Sequence, residues 1–334
     1  MSTPPSPPAA ATPPYRWPAE WEPLDAVWVI PPDNPETWPG CLDQAQSQHA
    51  AWCDAMREVV TVRTPGERGI ATDDAWIRDF GPLFVWDAAG KLVVQDFRFN
   101  GWGQKYEDRP RDDALTGRLA EALGLACLRH DGVLEGGALD TDGRGTLLTT
   151  TQCLLHPNRN GPTDPSAVEH RLQQTLGITR IVWLDLPAGT LPGDDTDGHV
   201  DNAARFLRPC TVAVHPRLDV TPLRHAGLEV VVLPEPAPLF YDYPADRFGP
   251  AKRMRLPCSY ANFLIANGRI FVPTFGQPTD DPARRRLDEA MPHHTPVPVR
   301  AEHLVVGQGA LHCLSMQQPA PPPGKSPAPP RKTP

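Results

Sequence analysis

No stretch of this sequence approaches the roughly 20 consecutive apolar residues that a membrane-spanning helix needs, so no membrane segment is expected. The N-terminus lacks a basic region followed by an apolar run, so no signal peptide is expected and a cytoplasmic location is. Cysteine pairing signals are missing too. The seven cysteines (Cys41, Cys53, Cys127, Cys153, Cys210, Cys258, Cys313) are odd in number, scattered and free of CxxC spacing. That argues against a disulfide framework and a cysteine zinc site, and fits a reducing compartment. Positive charge is in deficit: 32 Lys+Arg stand against 40 Asp+Glu, a net charge of −8. The balance weighs against nucleic acid and anionic lipid as partners and mildly favours cationic small molecules, although an ordinary soluble surface accounts for it as well.

Proline is abundant, with 43 in 334 residues, and part of it sits at the ends. Residues 1–14 (MSTPPSPPAAATPP) and 319–334 (PAPPPGKSPAPPRKTP) have too little apolar surface to fold and read as tails. Between them, 15–318 is expected to form one domain.

That domain is repetitive. Hairpin signals recur at 82–99, at 137–151 around Asp142-Gly143, at 203–215 around Arg208-Pro209 and at 261–275 around Asn267-Gly268. Helical patterns lie at 43–58, 112–124, 164–177 and 281–290. Short strands are expected at 59–63, 125–129, 180–184, 228–233 and 296–299. A unit of helix, strand and hairpin thus recurs about five times. The last unit needs strands near Leu311–Ser315 and Val27–Ile30, which would close the chain ends on each other. The fold class expected is α/β, propeller-like; a doubly wound sheet fits less well, because the strands come largely as hairpins.

Four turn-rich segments carry the polar residues of interest. They are DDAWIRDFGP (73–82) with Asp79, LEGGALD (134–140) with Glu135, GDDTDGHVDN (193–202) with His199 and Asp201, and GQGALHCLS (307–315) with Cys313. Singly, each has a plain structural explanation: an Asp beside Gly is usually a turn residue, and a Cys in LHCL is more often a small core hydrophobe. Calcium is disfavoured because the EF-hand spacing is absent, and a metal hydrolase because His199 has no second His at ligand spacing.

Taken together, these segments resemble the agmatine deiminase family, within the guanidine-modifying enzymes that include bacterial peptidylarginine deiminases. The likeness also runs through PAEWEPLDAVW (18–28), NPETWPG (34–40), DFRFNGWGQKY (96–106), PNRN (157–160), SYANFLIANG and LHCLSMQQP, and covers nearly all of the chain between the tails. It implies the pentein fold, a five-bladed α/β propeller with pseudo-fivefold repeats. It also implies Cys313 as nucleophile, His199 as general acid/base, Glu135 as the acidic residue that contacts the guanidinium and orients the histidine, and Asp79 and Asp201 as the carboxylates that hold a guanidinium. Trp102 is a candidate to line the substrate's aliphatic stem. No metal or cofactor is called for, since the guanidinium brings its own positive charge. The implied substrate is agmatine, with a homo-oligomer weakly implied. Alternatives are a peptidyl- or free-arginine deiminase, a non-catalytic guanidine- or polyamine-binding protein, and a metal-dependent amidinohydrolase releasing urea. Three departures bear on specificity: Pro31-Pro32-Asp33 where relatives have Trp-Pro-His, Gln308 where glycine is usual, and Met316 where glutamine is.

Overall fold

The computed structural model describes residues 13–245 and 250–322. The tail assignment for 1–12 and 323–334 lies outside the described residues. Among those described, no helix is long and apolar enough to cross a membrane.

Five sheets repeat one plan: two antiparallel strands, then a third strand parallel to the second. Leu83–Asp87 pairs with Leu92–Arg98, which is joined in parallel by Ala126–Val133, with Tyr15–Arg16 added at the edge. Asp140–Thr141, Thr146–Thr150 and Arg180–Leu184 repeat the plan, as do Ala204–Arg208, Thr211–Val214 and Glu229–Val232. So do Leu264–Ala266, Arg269–Thr274 and Thr295–Arg300. The fifth sheet joins the two ends of the chain: Ser315–Pro319 runs antiparallel to Leu24–Val29, which pairs in parallel with Thr61–Arg63. An antiparallel pair needs only a turn, whereas the parallel return needs a crossover. Helices Leu42–Arg57, Pro110–Leu123, Pro165–Leu176 and Asp280–Ala290 supply four of those crossovers. The short helix Thr221–His225 precedes the strand Glu229–Val232, the one for which the sequence offered no clear helix.

Local chemistry explains why these segments form. Asn267 and Gly268 both hold positive φ (42° and 85°), the backbone a two-residue hairpin turn of matching twist demands. Pro165–Leu176 begins with the Asp164 side chain accepting from the Ser166 N–H, carries Pro in its first turn, and ends at Gly177 in the left-handed region. Buried aromatic residues, among them Trp28, Trp38, Trp52, Phe84 and Phe271, fill the main core.

The structure departs from the sequence reading in three places. Residues 311–314 form a turn rather than a strand, and the strand begins at Ser315. The repeat calls for a strand here, but the Leu314 N–H bonds the Ala310 carbonyl, and the Ser315 N–H and Oγ bond the His312 and Leu311 carbonyls. Second, Pro319 is paired with Leu24 and the Ala320 N–H donates to the Pro23 carbonyl, so the ordered sheet runs past the tail boundary expected at 319. Third, a hairpin of Phe240–Tyr243 and Lys252–Arg255 had no counterpart in the sequence reading. Tyr241 and Tyr243 tie it down, donating to the carbonyls of Pro39 and Val306.

Candidate active site

Each residue singled out in the sequence sits where a strand or loop gives way to a short helical turn. Asp79 lies in Ile77–Phe80, Glu135 immediately precedes Gly136–Ala138, His199 precedes Val200–Asn202, which contains Asp201, and Cys313 occupies the turn before Ser315–Pro319. Such turns present side chains that a regular strand would alternate between faces.

Gly137 shows how closely they converge. A Cβ placed on it would lie 2.6 Å from His199 Nδ1, 2.7 Å from Asp79 Oδ1 and 3.2 Å from Asp201 Oδ2. Three side chains from two segments, 73–82 and 193–202, thus surround one point on a third that only glycine leaves open. Cys313 joins them: its Sγ is 3.4 Å from Asp201 Oδ2. All five are almost fully buried, with Glu135 and Asp201 at 0% exposure and Cys313 the most exposed at 6%. A cavity of about 540 Å³ reaches Asp79, Trp102, His199 and Cys313, the size of a small-molecule pocket. Asp201 lies one contact deeper, touching Cys313, and Glu135 lies behind His199.

Hydrogen bonds fix the orientation of each group. His199 turns Nε2 to Glu135 Oε2 at 3.2 Å, while Nδ1 faces Asp79 Oδ1 at 3.6 Å. Asp79 accepts from the Gly137 N–H at 3.0 Å and from the Trp102 indole N–H at 2.9 Å. Trp102 therefore positions a carboxylate as well as lining the cavity. It does so from a left-handed backbone (φ 55°), an uncommon conformation for a bulky residue.

The electrostatics are set by burying several carboxylates together. Burial raises Asp79 to about 6; Asp201 and Glu135 push the same way, and His199 opposes them. Burial also pushes the Cys313 thiol well above its ordinary value, with Asp201 and Asp79 adding to the rise and the Asn262 amide opposing it. Burial would depress His199, but the surrounding Asp79, Cys153 and Glu135 raise it well above the usual imidazole value. Burial would raise Glu135, but Arg159 and His199 hold it low. Asp201 is likewise held low against its burial by His312, His199 and Arg205. The site is thus organised for a cation: ionising Asp79 or Cys313 is difficult until positive charge arrives.

The sequence reading assigned no role to several residues here. Asn262 donates to Cys313 Sγ at 3.0 Å and accepts from the Cys313 N–H at 3.3 Å. Arg159, fully buried, donates through Nε to both Glu135 oxygens (3.0 and 2.7 Å) and continues to Asp197 and Thr196. His312 lies between Asp201 and Glu20. Asn262, Arg159, His312 and Glu20 all stand in quoted segments of the family likeness, and that was their only sequence signal.

Glu135, Cys153 and His199 offer ligand atoms within 4.8 Å of one another, a donor set of metal-binding type. Arg159 already neutralises Glu135 through two charge-assisted bonds, so a metal there would have to displace a buried guanidinium. Of the three departures, Asp33 is exposed and does not border the cavity. Gln308 does border it and holds φ 80°, the left-handed backbone that explains why glycine suits the position; its amide donates to the Tyr243 hydroxyl. Met316 packs beneath the site, its Sδ 3.6 Å from an Arg78 guanidinium nitrogen.

Comparison with known proteins shows the family. The sequence profile of the Porphyromonas-type peptidyl-arginine deiminase family matches residues 16–319. The agmatine deiminase of Stutzerimonas stutzeri (strain A1501) is 36% identical, over 92% of this chain and 96% of its own length. The structure of the Enterococcus faecalis agmatine deiminase superposes with a TM-score of 0.81 at 27% identity, covering 92% of this chain and 96% of that one. A C. jejuni agmatine deiminase carrying a Cys-to-Ser substitution, with substrate bound, gives 0.80 at 27% identity over 91% and 96%. An amidinotransferase from Microseira wollei shares the fold alone, at a TM-score of 0.59 and 15% identity. The chain is a member of the Porphyromonas-type peptidyl-arginine deiminase family, to which its agmatine deiminase relatives lead over nearly the whole length.

Proposed function

We propose that this protein hydrolyses the guanidinium of agmatine to N-carbamoylputrescine and ammonia through a covalent intermediate on Cys313. The observation that carries the reading is the convergence on Gly137: an imidazole and two carboxylates meet at one point beside a thiol. A guanidinium is planar and always charged, and its central carbon is a poor electrophile until it is held and approached by a strong nucleophile. Asp79 and Asp201 bind its nitrogens and fix its plane. Its charge offsets the carboxylates that keep Cys313 protonated, so the thiol loses its proton to solvent water when the substrate is in place and the thiolate forms. The thiolate adds to the carbon, forming a C–S bond. The C–N bond to the terminal nitrogen then breaks as His199 gives that nitrogen a proton, and ammonia leaves. His199 next takes a proton from water, whose oxygen attacks the thiouronium carbon. The C–S bond breaks, the ureido product forms and the thiol is restored. Glu135 holds the His199 ring by its Nε2, leaving Nδ1 toward the reacting groups.

Seven acidic residues line the cavity against three Lys or Arg, which suits the free amine of agmatine better than the α-carboxylate of arginine. Trp102 offers an apolar wall for the methylene stem. The five sheets of one plan stand as five blades in a pentein-type propeller, and the enzyme works as a cytoplasmic homo-oligomer without metal or cofactor.

The test is an assay of ammonia, urea and ureido product from agmatine, free arginine and an arginine peptide, with and without a chelator. Ammonia and a ureido product from agmatine that persist with chelator support the reading. Urea, or activity lost on chelation, overturns it, as does a preference for arginine or its peptide. A Cys313→Ser variant should bind agmatine without turning it over.

A further inference from the structure

A chain of buried ionisable groups runs beneath the nucleophile, and beyond its Asp201 end it plays no part in the mechanism above. His312 Nδ1 lies 2.8 Å from Asp201 Oδ2, and its Nε2 lies 3.1 Å from Glu20 Oε2. Glu20 in turn faces Arg205 at 2.9 Å and Arg78 at 3.6 Å, and accepts from the Ile265 N–H at 2.7 Å. Arg205 continues to Asp140 at 2.9 Å, and Arg78 donates to the His312 carbonyl at 3.2 Å. Every side chain in this chain is buried. Buried charge that is not used is costly, so a network of this extent needs a reason.

Its terminus supplies one. Asp201 Oδ2 receives both His312 and the Cys313 thiol, whereas Oδ1 is buried with no hydrogen-bond partner among the described residues. Nδ1 of His312 is hydrogen-bonded to Asp201, and Nε2 stands at ion-pair distance from Glu20 Oε2, so a ring carrying a proton on both nitrogens has a carboxylate on each side. Such a cation offsets the charge of Asp201 and pins one of its oxygens.

We propose that His312 is a positioning residue for guanidine hydrolysis: braced by Glu20, it fixes Asp201 by Oδ2, keeps it a carboxylate, and leaves Oδ1 free to accept a guanidinium N–H. The groups facing Asp201 are His312, His199, Arg205 and Arg78 on the positive side and Asp79 and the Cys313 thiol on the other. His312 is the only one of the cations bonded to it directly among the described residues. This role rests on the proposed deiminase reading, and the two fail separately: inactive wild-type protein sinks that reading, whereas active wild type with unaltered variants sinks only this one.

The experiment is the pH profile of kcat/KM for agmatine in wild type, His312→Gln and Glu20→Gln, alongside Tm. Removing a cation in hydrogen-bond contact moves a carboxylate upward by about 1–3 pH units. In wild type Asp79, near 6, sets the acid limb of kcat/KM and Asp201 titrates below it; in His312→Gln the raised Asp201 should add a second protonation that steepens the limb, with KM increased about tenfold or more, and should do so to a lesser degree in Glu20→Gln. A purely structural role would lower Tm or the fraction of active enzyme without steepening the limb. A folded His312→Gln or Glu20→Gln enzyme with the wild-type limb and KM overturns the proposal; so does failure of both variants to fold, which would make the network a structural one. If only one folds, its profile decides.

Discussion

Replacing Gly137 by alanine is expected to abolish most turnover while leaving the protein folded. The added methyl carbon would stand 2.6 Å from His199 Nδ1, 2.7 Å from Asp79 Oδ1 and 3.2 Å from Asp201 Oδ2, where an unstrained contact needs roughly 3.4 Å or more. The neighbours must therefore retreat by about 0.7–0.8 Å for the first two groups. Overpacking of this kind costs about 1–3 kcal/mol of stability. For a chain this long, that lowers Tm by about 2–4 °C per kcal/mol or less. Catalysis is less forgiving, because a misplacement of about 1 Å costs about 100-fold in rate. The expected result is kcat/KM down by about two orders of magnitude with a moderate fall in Tm, measured by steady-state ammonia release and thermal unfolding. The same substitution at Gly117 is the control. It lies inside Pro110–Leu123, and a Cβ there meets Asp96 Oδ2 at an ordinary 3.5 Å. Gly117→Ala should be neutral or stabilise by up to about 1 kcal/mol, with normal turnover. A Gly137→Ala enzyme within about threefold of wild type would refute the convergence on which the site rests.

Other outcomes follow from the same charges. Asp79 is raised to about 6 and must be ionised to hold a guanidinium. Protons therefore compete with substrate below that value, so KM should rise as pH falls through about 6, approaching tenfold per unit, and flatten above it; Asp79→Asn should remove the dependence. The carboxylates that keep the Cys313 thiol protonated should favour a cationic reagent over a neutral one. Chloroacetamidine should thus alkylate Cys313 on the order of tenfold or more faster than chloroacetamide at neutral pH, as peptide mass mapping would record; equal rates would contradict the charge argument. Arg159→Met removes the two guanidinium bonds to buried Glu135 and leaves it only His199, a loss of about 3–5 kcal/mol that thermal unfolding would register, and loosens the anchor of the His199 ring.

Much of the fold was legible because its signals are local. Asn267-Gly268 announces a hairpin through positive φ, and Asp164-Pro165 with Gly177 brackets a helix through capping. The candidate catalytic residues were legible through family likeness, and each then lay at a turn beside the cavity or just behind it. The supporting groups were not, because their partners are remote in sequence. Asn262 reads as part of a strand hairpin, yet it meets Cys313 across 51 positions. Glu20 reads as an ordinary acidic residue of a Trp-rich segment, yet its partner His312 lies near the other end of the chain. The turn at 311–314 was misread for a physical reason as well. The repeat calls for a strand at this point, and the placement of Cys313 between Asn262 and Asp201 goes with the bend instead.

The central claim is a bond between Cys313 sulfur and the guanidinium carbon. Rapid acid quenching of enzyme turning over agmatine, followed by intact-mass and peptide analysis, tests it most directly. The expected product is an adduct on the Cys313 peptide with the mass of agmatine less ammonia, formed and lost at rates compatible with turnover. An enzyme that releases ammonia from agmatine with that peptide unmodified at every quench time, or with the adduct on another residue, would contradict it.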